Sequence, residues 1–280
     1  PMAKLRRLIQ LGLWKTRLTV EQGRIDEALD YCLALLRVGA HWQTNVLLMD
    51  QLIGQSISEE ACREILRIVA TTNLLDSQLS DLQTRLFQVY PNGYPIVDFD
   101  GERLIAMDLV QYCFTSGGLG GGHRVAASYI ADIKAAAQLP DDSSPPMPDT
   151  IATPIGVGLS MFHASRNKTL AKIDQIHKHL RQIAGLSPYE RRIRRIADLG
   201  ETAGATEKWR YALVYLLLPA ERKVSELAFR AKAEYEALVT VVAVKRYRLQ
   251  KDGYPPDLEP LLRDKYLDKL PMDPYSDASL

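Results

Sequence analysis

The segment from Val224 to Lys251 constrains this chain most. Val224, Leu227, Ala228, Ala231, Tyr235, Leu238, Val239 and Val242 recur at steps of three and four, which draws one apolar stripe on a helix. The run Val239-Thr240-Val241-Val242-Ala243-Val244 is rich in β-branched residues and by itself suits a strand. It lies inside an unbroken helical period that Gly253 and Pro255 bring to a stop, so the spacing predicts a helix. Such a helix is apolar on nearly all sides around Val241 to Val244 and must run through a core. Other helices have to surround it.

The remainder of the chain supplies them. Leu5, Leu8, Ile9, Leu11, Leu13, Trp14 and Leu18 recur with helical spacing up to Val20, Gly23 interrupts, and Ala28, Leu29, Cys32, Leu35 and Leu36 resume the period over Asp26 to Val38. So short a turn predicts two antiparallel helices. Further helices are expected over His41–Gly54, Glu59–Ala70 with Ser58 as N-cap, and Ser77–Val89. Pro91, Gly93 and Pro95 mark a loop, with Ile96-Val97 as a short extended piece. Asp98, Asp100 and Glu102 then place carboxylates near the positive end of a helix over Arg103–Phe114. The acidic stretch has glycine in its fourth position and Leu109 in its twelfth, unlike a calcium loop. A helix over Val125–Gln138 precedes Pro140-Asp141-Asp142-Ser143-Ser144-Pro145-Pro146-Met147-Pro148, which reads as an extended linker. A helical period returns over Ile155–Ile183, and the segment Ala205–Leu218 leads through Pro219, which suits a first helical turn, into the long helix.

Several function classes lack the residues they need. Lys and Arg number 35 against 34 Asp and Glu, so no global field draws in nucleic acid or anionic lipid. No run approaches the roughly 18 apolar residues of a membrane span. The chain opens at Pro1 and ends within an unfinished motif, so a longer natural protein is expected. Cys32, Cys62 and Cys113 sit far apart in apolar periods, without the paired spacing of a zinc site or a disulfide framework, and read as core residues. A Cys32–Cys62 bridge between neighbouring helices is the oxidising-compartment alternative. Gly158-Leu159-Ser160-Met161-Phe162 has half of a hydrolase nucleophile elbow. His177 and His179, two apart, fall on different helix faces and read as solvated. His163-Ala164-Ser165-Arg166 reads as a helix-surface hydrogen-bond set. No catalytic residue, metal ligand or cofactor is assigned, although carboxylates distant in sequence are free to pair in space.

Two stretches remain as binding candidates. Gly118, Gly120, Gly122 and His123 belong to Ser116-Gly117-Gly118-Leu119-Gly120-Gly121-Gly122-His123, whose glycines could bring backbone N–H groups to an anion. The loop follows a helical segment and lacks a lysine, so it fits neither a dinucleotide loop nor a nucleotide P-loop. A surface loop is the plain reading. Arg191, Arg192, Arg194 and Arg195 form a local basic patch suited to phosphates or acidic headgroups. Glu190, Asp198, Glu201 and Glu207 nearby suit an ion-paired helix face instead.

Three resemblances bear on the whole. Gly23 and Ala28 keep the separation found in a tetratricopeptide unit, but Gly12 stands where the first helix carries a large aromatic and no second copy follows. Tyr247, Asp252-Gly253-Tyr254-Pro255, Leu258, Leu261, Leu262, Tyr266-Leu267, Leu270-Pro271 and Asp273-Pro274-Tyr275 resemble the segment after the long helix in G-type pseudopilins of type II secretion. The helix comes late here and no prepilin cleavage segment precedes it, so pilin-like polymerisation is not implied. Together with Gly101-Glu102-Arg103-Leu104, the same ending is similar to a set of helical proteins of planctomycete bacteria. That resemblance implies a single N-terminal membrane anchor preceding this sequence and an extracytoplasmic location. It implies no catalytic residue.

The expected fold is therefore all-α: antiparallel helical hairpins packed around a long C-terminal helix, closed by a proline-rich tail. The expected organisation is an N-terminal array over 1–139, a linker over 140–154 and a C-terminal helical region over 155–280. The expected function is a non-enzymatic interaction or scaffold module with a protein partner, extracytoplasmic or membrane-anchored. An enzyme or small-ligand binder using the 117–122 loop, and a binder of anionic membrane or nucleic acid through Arg191–Arg195, are the alternatives. Nucleic acid is the less favoured of those two partners.

Overall fold

The computed structural model describes residues 2–123, 163–197, 202–217 and 221–276. Eleven α-helices and one 3-10 turn form among them, and no β-strand. In order these are α1 (Met2–Glu21), α2 (Ile25–Gln43), α3 (Leu48–Thr71), α4 (Asp76–Val89), α5 (Asp100–Cys113), the 3-10 turn Leu119–Gly121, α6 (Arg166–Ala184), α7 (Pro188–Ile193), α8 (Ala205–Arg210), α9 (Ala212–Leu217), α10 (Glu221–Lys251) and α11 (Glu259–Arg263). The protein is all-α. No described helix is long and apolar enough to cross a membrane.

The chain divides into two compact units that do not follow sequence order. The first comprises Pro1–Val97, Ala184–Arg194 and Lys223–Leu280, and the second Asp98–Ile183 and Arg195–Arg222. The linker expected over 140–154, the helix over 125–138, the half elbow at 158–162 and Pro219 lie outside the described residues.

In the first unit α10 contributes Ala231, Tyr235, Leu238, Val239, Val242 and Ala243 to a core shared with Leu33 and Leu36 of α2, Ile65 and Ile68 of α3, and Leu82 and Leu86 of α4. Each fully buried Leu or Ile of this kind is worth about 1.5–3 kcal/mol relative to exposure. Leu261 of α11, with Tyr266 and Leu267 beyond it, joins the same core. The tail is held there by polar bonds as well. Gln83 Nε2 donates to the Tyr266 carbonyl at 2.5 Å, and the Arg246 guanidinium bridges Asp76 at 3.3 Å and Gln83 Oε1 at 2.9 Å.

Several expected boundaries need correction. The two helices expected over His41–Gly54 and Glu59–Ala70 are a single helix, α3, and α2 runs on to Gln43. Gly54 is no stop. It meets Gly39 where α2 and α3 cross: a Cβ on Gly54 would stand 2.6 Å from both the Gly39 carbonyl oxygen and the Gln43 amide nitrogen. Glycine here permits backbone contact between helices, which sequence reading mistakes for punctuation. Ser58 is likewise no N-cap; it is fully buried in mid-helix and bonds side chains of other elements. At the end of α10 the left-handed residue is Asp252 (φ 57°) rather than Gly253, a conformation Asp tolerates through its short polar side chain. The segment that leads towards the long helix is divided at Tyr211 (φ −121°, ψ 34°) into α8 and α9.

In the second unit α5 starts at Asp100, three residues earlier than expected, after the Asp98 carboxylate accepts from the Asp100 N–H at 2.9 Å. α5 and α6 are tied by Arg103 to Asp174 at 2.7 Å and Arg181 to Asp100 at 2.5 Å. Ala106, Val110, Phe114, Ile173, Ile176, Leu180, Leu213 and Val214 are among its buried apolar residues. Lys172 of α6 pairs with Glu207 of α8 at 2.5 Å, and Glu207 also accepts from the Tyr215 hydroxyl at 2.9 Å.

Candidate functional site

The glycine-rich loop closes on itself. Thr115 N–H donates to the His123 carbonyl at 2.8 Å, His123 N–H donates to Thr115 Oγ1 at 3.0 Å, and Gly117 N–H donates to the Gly121 carbonyl at 3.3 Å. Gly118 and Gly120 have φ of 95° and 73°, and Gly122 of 136°, all in the region that favours glycine. Space demands glycine too. A Cβ on Gly120 would stand 2.6 Å from Ser165, and one on Gly122 would collide with the Thr115 carbonyl. The Gly122 carbonyl then accepts the Arg166 N–H at 3.1 Å, so a protein carbonyl meets an opening N–H of α6 that a helix otherwise leaves without an intrahelical partner. The loop thus seats α6. His123 is exposed beside it.

The arginine cluster is positioned by α7, whose Ser187 and Glu190 form a reciprocal capping box at 3.1 and 2.8 Å. Arg192 donates to the Tyr275 carbonyl at 3.3 Å and lies over the Tyr189 ring at 5.4 Å, while Tyr189 N–H donates to the Pro274 carbonyl at 3.1 Å. Arg194 pairs with Glu190 at 3.5 Å, and Arg195 takes a left-handed backbone (φ 52°). Arg191 and Arg192 share the last turn of α7. Arg192 and Arg194 are thereby committed to the tail and to the cap.

Two histidine readings are corrected. His177 is buried, because residues 173, 176, 177 and 180 of α6 form its inward face. Burial, followed by the nearby Arg103 charge, holds its pKa below the ordinary imidazole value. His163 is buried as well, packed edge-on against Phe114 with ring centroids 5.4 Å apart. It belongs to the core rather than to a helix surface.

Carboxylates distant in sequence do meet on α3 and α10. Arg63 reaches Glu59 at 3.3 Å and Glu234 at 3.8 Å, and Arg230 reaches Glu59 at 3.7 Å. Burial, with Glu234 beside it, pushes the Glu59 carboxyl above the usual range, against the pull of both guanidinium groups. Among the described residues no group of three or more His, Cys, Asp or Glu side chains could hold a metal ion.

A tyrosine-walled cleft of about 400 Å³ lies elsewhere in the first unit, between the end of α4, the 91–94 turn, the middle of α10 and the tail at Leu267–Pro271. Its floor is rigid. Tyr90, Tyr94 and Tyr235 interlock with ring centroids 4.7, 5.0 and 5.6 Å apart. Tyr235 donates to the Leu86 carbonyl at 2.9 Å. The hydroxyls of Tyr90 and Tyr94 surround the amide of Gln43, whose Nε2 lies 3.1 and 3.2 Å from them and 2.9 Å from Ser58 Oγ. The amide has two hydrogens for three hydroxyls, and Ser58 and Tyr90 also bond each other at 2.9 Å. Burial pushes the Tyr90 phenol up to about 12 and raises Tyr94 and Tyr235 as well. All three stay protonated at neutral pH and none is tuned for acid–base work there. Phe87, 40% exposed, stands at the rim with Pro91, Pro271, Glu236, Asp268 and Lys269.

Sequence reasoning missed this cleft. Its signal was the pair of Tyr-Pro steps in Tyr90-Pro91-Asn92-Gly93-Tyr94-Pro95, which reads locally as a turn and no more. Neither this cleft nor a second one of about 430 Å³ between α1 and α3 is lined by the glycine loop or by the arginine cluster. Comparison with protein-family models, with curated proteins and with solved structures finds no match to the chain.

Proposed function

We propose that the chain is a non-enzymatic interaction module that takes up an extended segment of a partner protein in the tyrosine-walled cleft. The observation that supports this is the rigid aromatic floor, whose three hydroxyls are all spent on internal bonds. Ring faces and edges, not reactive groups, are left for a ligand. Aromatic walls beside fixed turns suit extended and proline-containing peptides, whose low conformational freedom limits the entropy lost on docking. A half-open cleft of this size holds one or two side chains, while Glu236, Asp268 and Lys269 at its edge supply polar partners for the peptide backbone. Kinship with the planctomycete helical proteins, and the extracytoplasmic or membrane-anchored location it implies, form part of this proposal and rest on Gly101-Glu102-Arg103-Leu104 and the ending from Tyr247 to Tyr275.

The test is peptide selection from a random display library against the whole chain. Peptides that bind should lose at least about tenfold in affinity for Phe87→Ser, a loss of roughly 1.4 kcal/mol, with melting unchanged because Phe87 is only half-buried. Selected peptides that bind wild type and Phe87→Ser equally, or a selection that yields none, would overturn the reading.

A further inference from the structure

α1 turns a second, different surface outward. Its inner face is taken up by packing: Leu13, Thr16 and Thr19 are buried, Gly12 lies against Leu35 of α2, and Arg17 reaches Glu64 of α3 at 3.2 Å. Its outer face carries Leu8, Leu11, Trp14 and Leu18, at 66%, 59%, 68% and 48% exposure. These follow one another at steps of three, three and four and so share one arc of the helix. Single exposed apolar residues need no explanation, but four large ones on one helical arc mark an interaction surface.

The charge on that arc indicates the occupant. Lys4, Arg7 and Lys15 are exposed among the four apolar side chains, and no Asp or Glu occurs in the chain before Glu21. The acids of α2 are each paired, Asp26 with Gln78, Glu27 with Arg24 and the Tyr31 hydroxyl, and Asp30 with Arg85, and Lys15 lies over the Tyr31 ring at 5.9 Å. A second copy of the same face would set cations against cations. Nucleic acid would meet the cations but leave the leucines without a partner. An anionic bilayer satisfies both sets: leucine and tryptophan enter the headgroup–acyl boundary while long basic side chains reach the phosphates. Because the inner half of α1 is occupied by protein, the cations that meet headgroups have to share the outward arc with the apolar residues. They do.

We propose that the outer face of α1 docks the protein on anionic lipid, with Leu8, Leu11, Trp14 and Leu18 as the inserting residues and Lys4, Arg7 and Lys15 as the headgroup contacts. The surface is separate from the tyrosine-walled cleft, and the two are tested apart.

The experiment is vesicle flotation of the whole chain with phosphatidylcholine vesicles containing about one-third phosphatidylserine, in parallel with pure phosphatidylcholine vesicles and a DNA duplex. Binding to the anionic vesicles is expected, with at least a tenfold loss for Leu11→Glu combined with Trp14→Glu and a smaller loss for Lys4→Gln, Arg7→Gln and Lys15→Gln together. Both sets change exposed positions, and equal melting temperatures check that the fold is kept. Arg194→Gln with Arg195→Gln, and Phe87→Ser, should leave vesicle binding unchanged. Absence of binding to anionic vesicles would overturn the proposal, as would equal binding by the Leu11→Glu, Trp14→Glu variant. Duplex binding without vesicle binding would point to nucleic acid instead. A concentration-dependent dimer abolished by the same two substitutions, without vesicle binding, would assign the face to a second copy.

Discussion

Gln43 shows how one residue can organise a surface it barely touches. Its amide gathers Ser58, Tyr90 and Tyr94 from positions 15, 47 and 51 residues away, and so fixes the floor of the cleft. Nothing in the neighbourhood of Gln43 in sequence announces this, because a hydrogen-bond partner that distant exists only once the helices have packed. The cysteines are the opposite case. Their place in apolar periods marks them as core, and Cys32 and Cys62 are buried free thiols. Burial pushes both thiols up to about 12 from 9.0, which cuts the thiolate fraction at pH 8 by roughly a thousandfold. Iodoacetamide should therefore alkylate these two residues in the native chain at least about a hundredfold more slowly than in urea, with peptide mapping to separate them from Cys113. Native labelling at the unfolded rate would contradict the burial. The direction of the pH dependence follows from the same shift. A thiol that stays protonated when folded but ionises when unfolded costs stability as pH climbs from about 9 towards 12.

At the scale of elements, helical period was legible nearly everywhere, whereas the meaning of glycine was not. Gly39 and Gly54 allow α2 and α3 to touch backbone to backbone, and Gly120 to Gly122 allow a loop to lie against the start of α6. In sequence both groups resemble breaks, because a missing side chain looks the same whether it frees a turn or admits a neighbour. The two roles separate under substitution. A Cβ on Gly39 would stand 2.8 Å from the Gly54 carbonyl oxygen and 2.9 Å from the Ser58 nitrogen, so Gly39→Ala must push the helices apart. It should cost about 1–3 kcal/mol by overpacking, despite the gain in helix propensity of roughly 1 kcal/mol that an exposed Gly→Ala enjoys. Urea unfolding would measure it; unchanged or raised stability would show that α2 and α3 do not cross there. The same blindness explains the missed cleft, since α4 and the 91–94 turn form one side of it and α10 and the tail, far away in sequence, the other.

At the scale of the whole molecule, the long helix α10 brings the end of the chain into the same unit as its beginning. Val242 is fully buried in that shared core, and Tyr254 is 60% exposed beyond the helix, held by Arg248 stacked on its ring at 4.8 Å. Val242→Asp should unfold the first unit, because a buried carboxylate without a partner costs far more than the domain's marginal stability allows. Tyr254→Ala should cost under about 1 kcal/mol; circular-dichroism melts with equal losses for the two would refute this ranking. The sequence alone determined the all-α class, the central helix and the burial of the cysteines. These follow from the spacing of apolar residues along a short stretch, a property of the local chain. Tertiary structure alone decided which segments share a core, that the glycine loop seats a helix, that Arg192 serves the tail, and that three tyrosines wall a cleft. Each of those depends on contacts between residues tens to hundreds of positions apart, which no local period encodes.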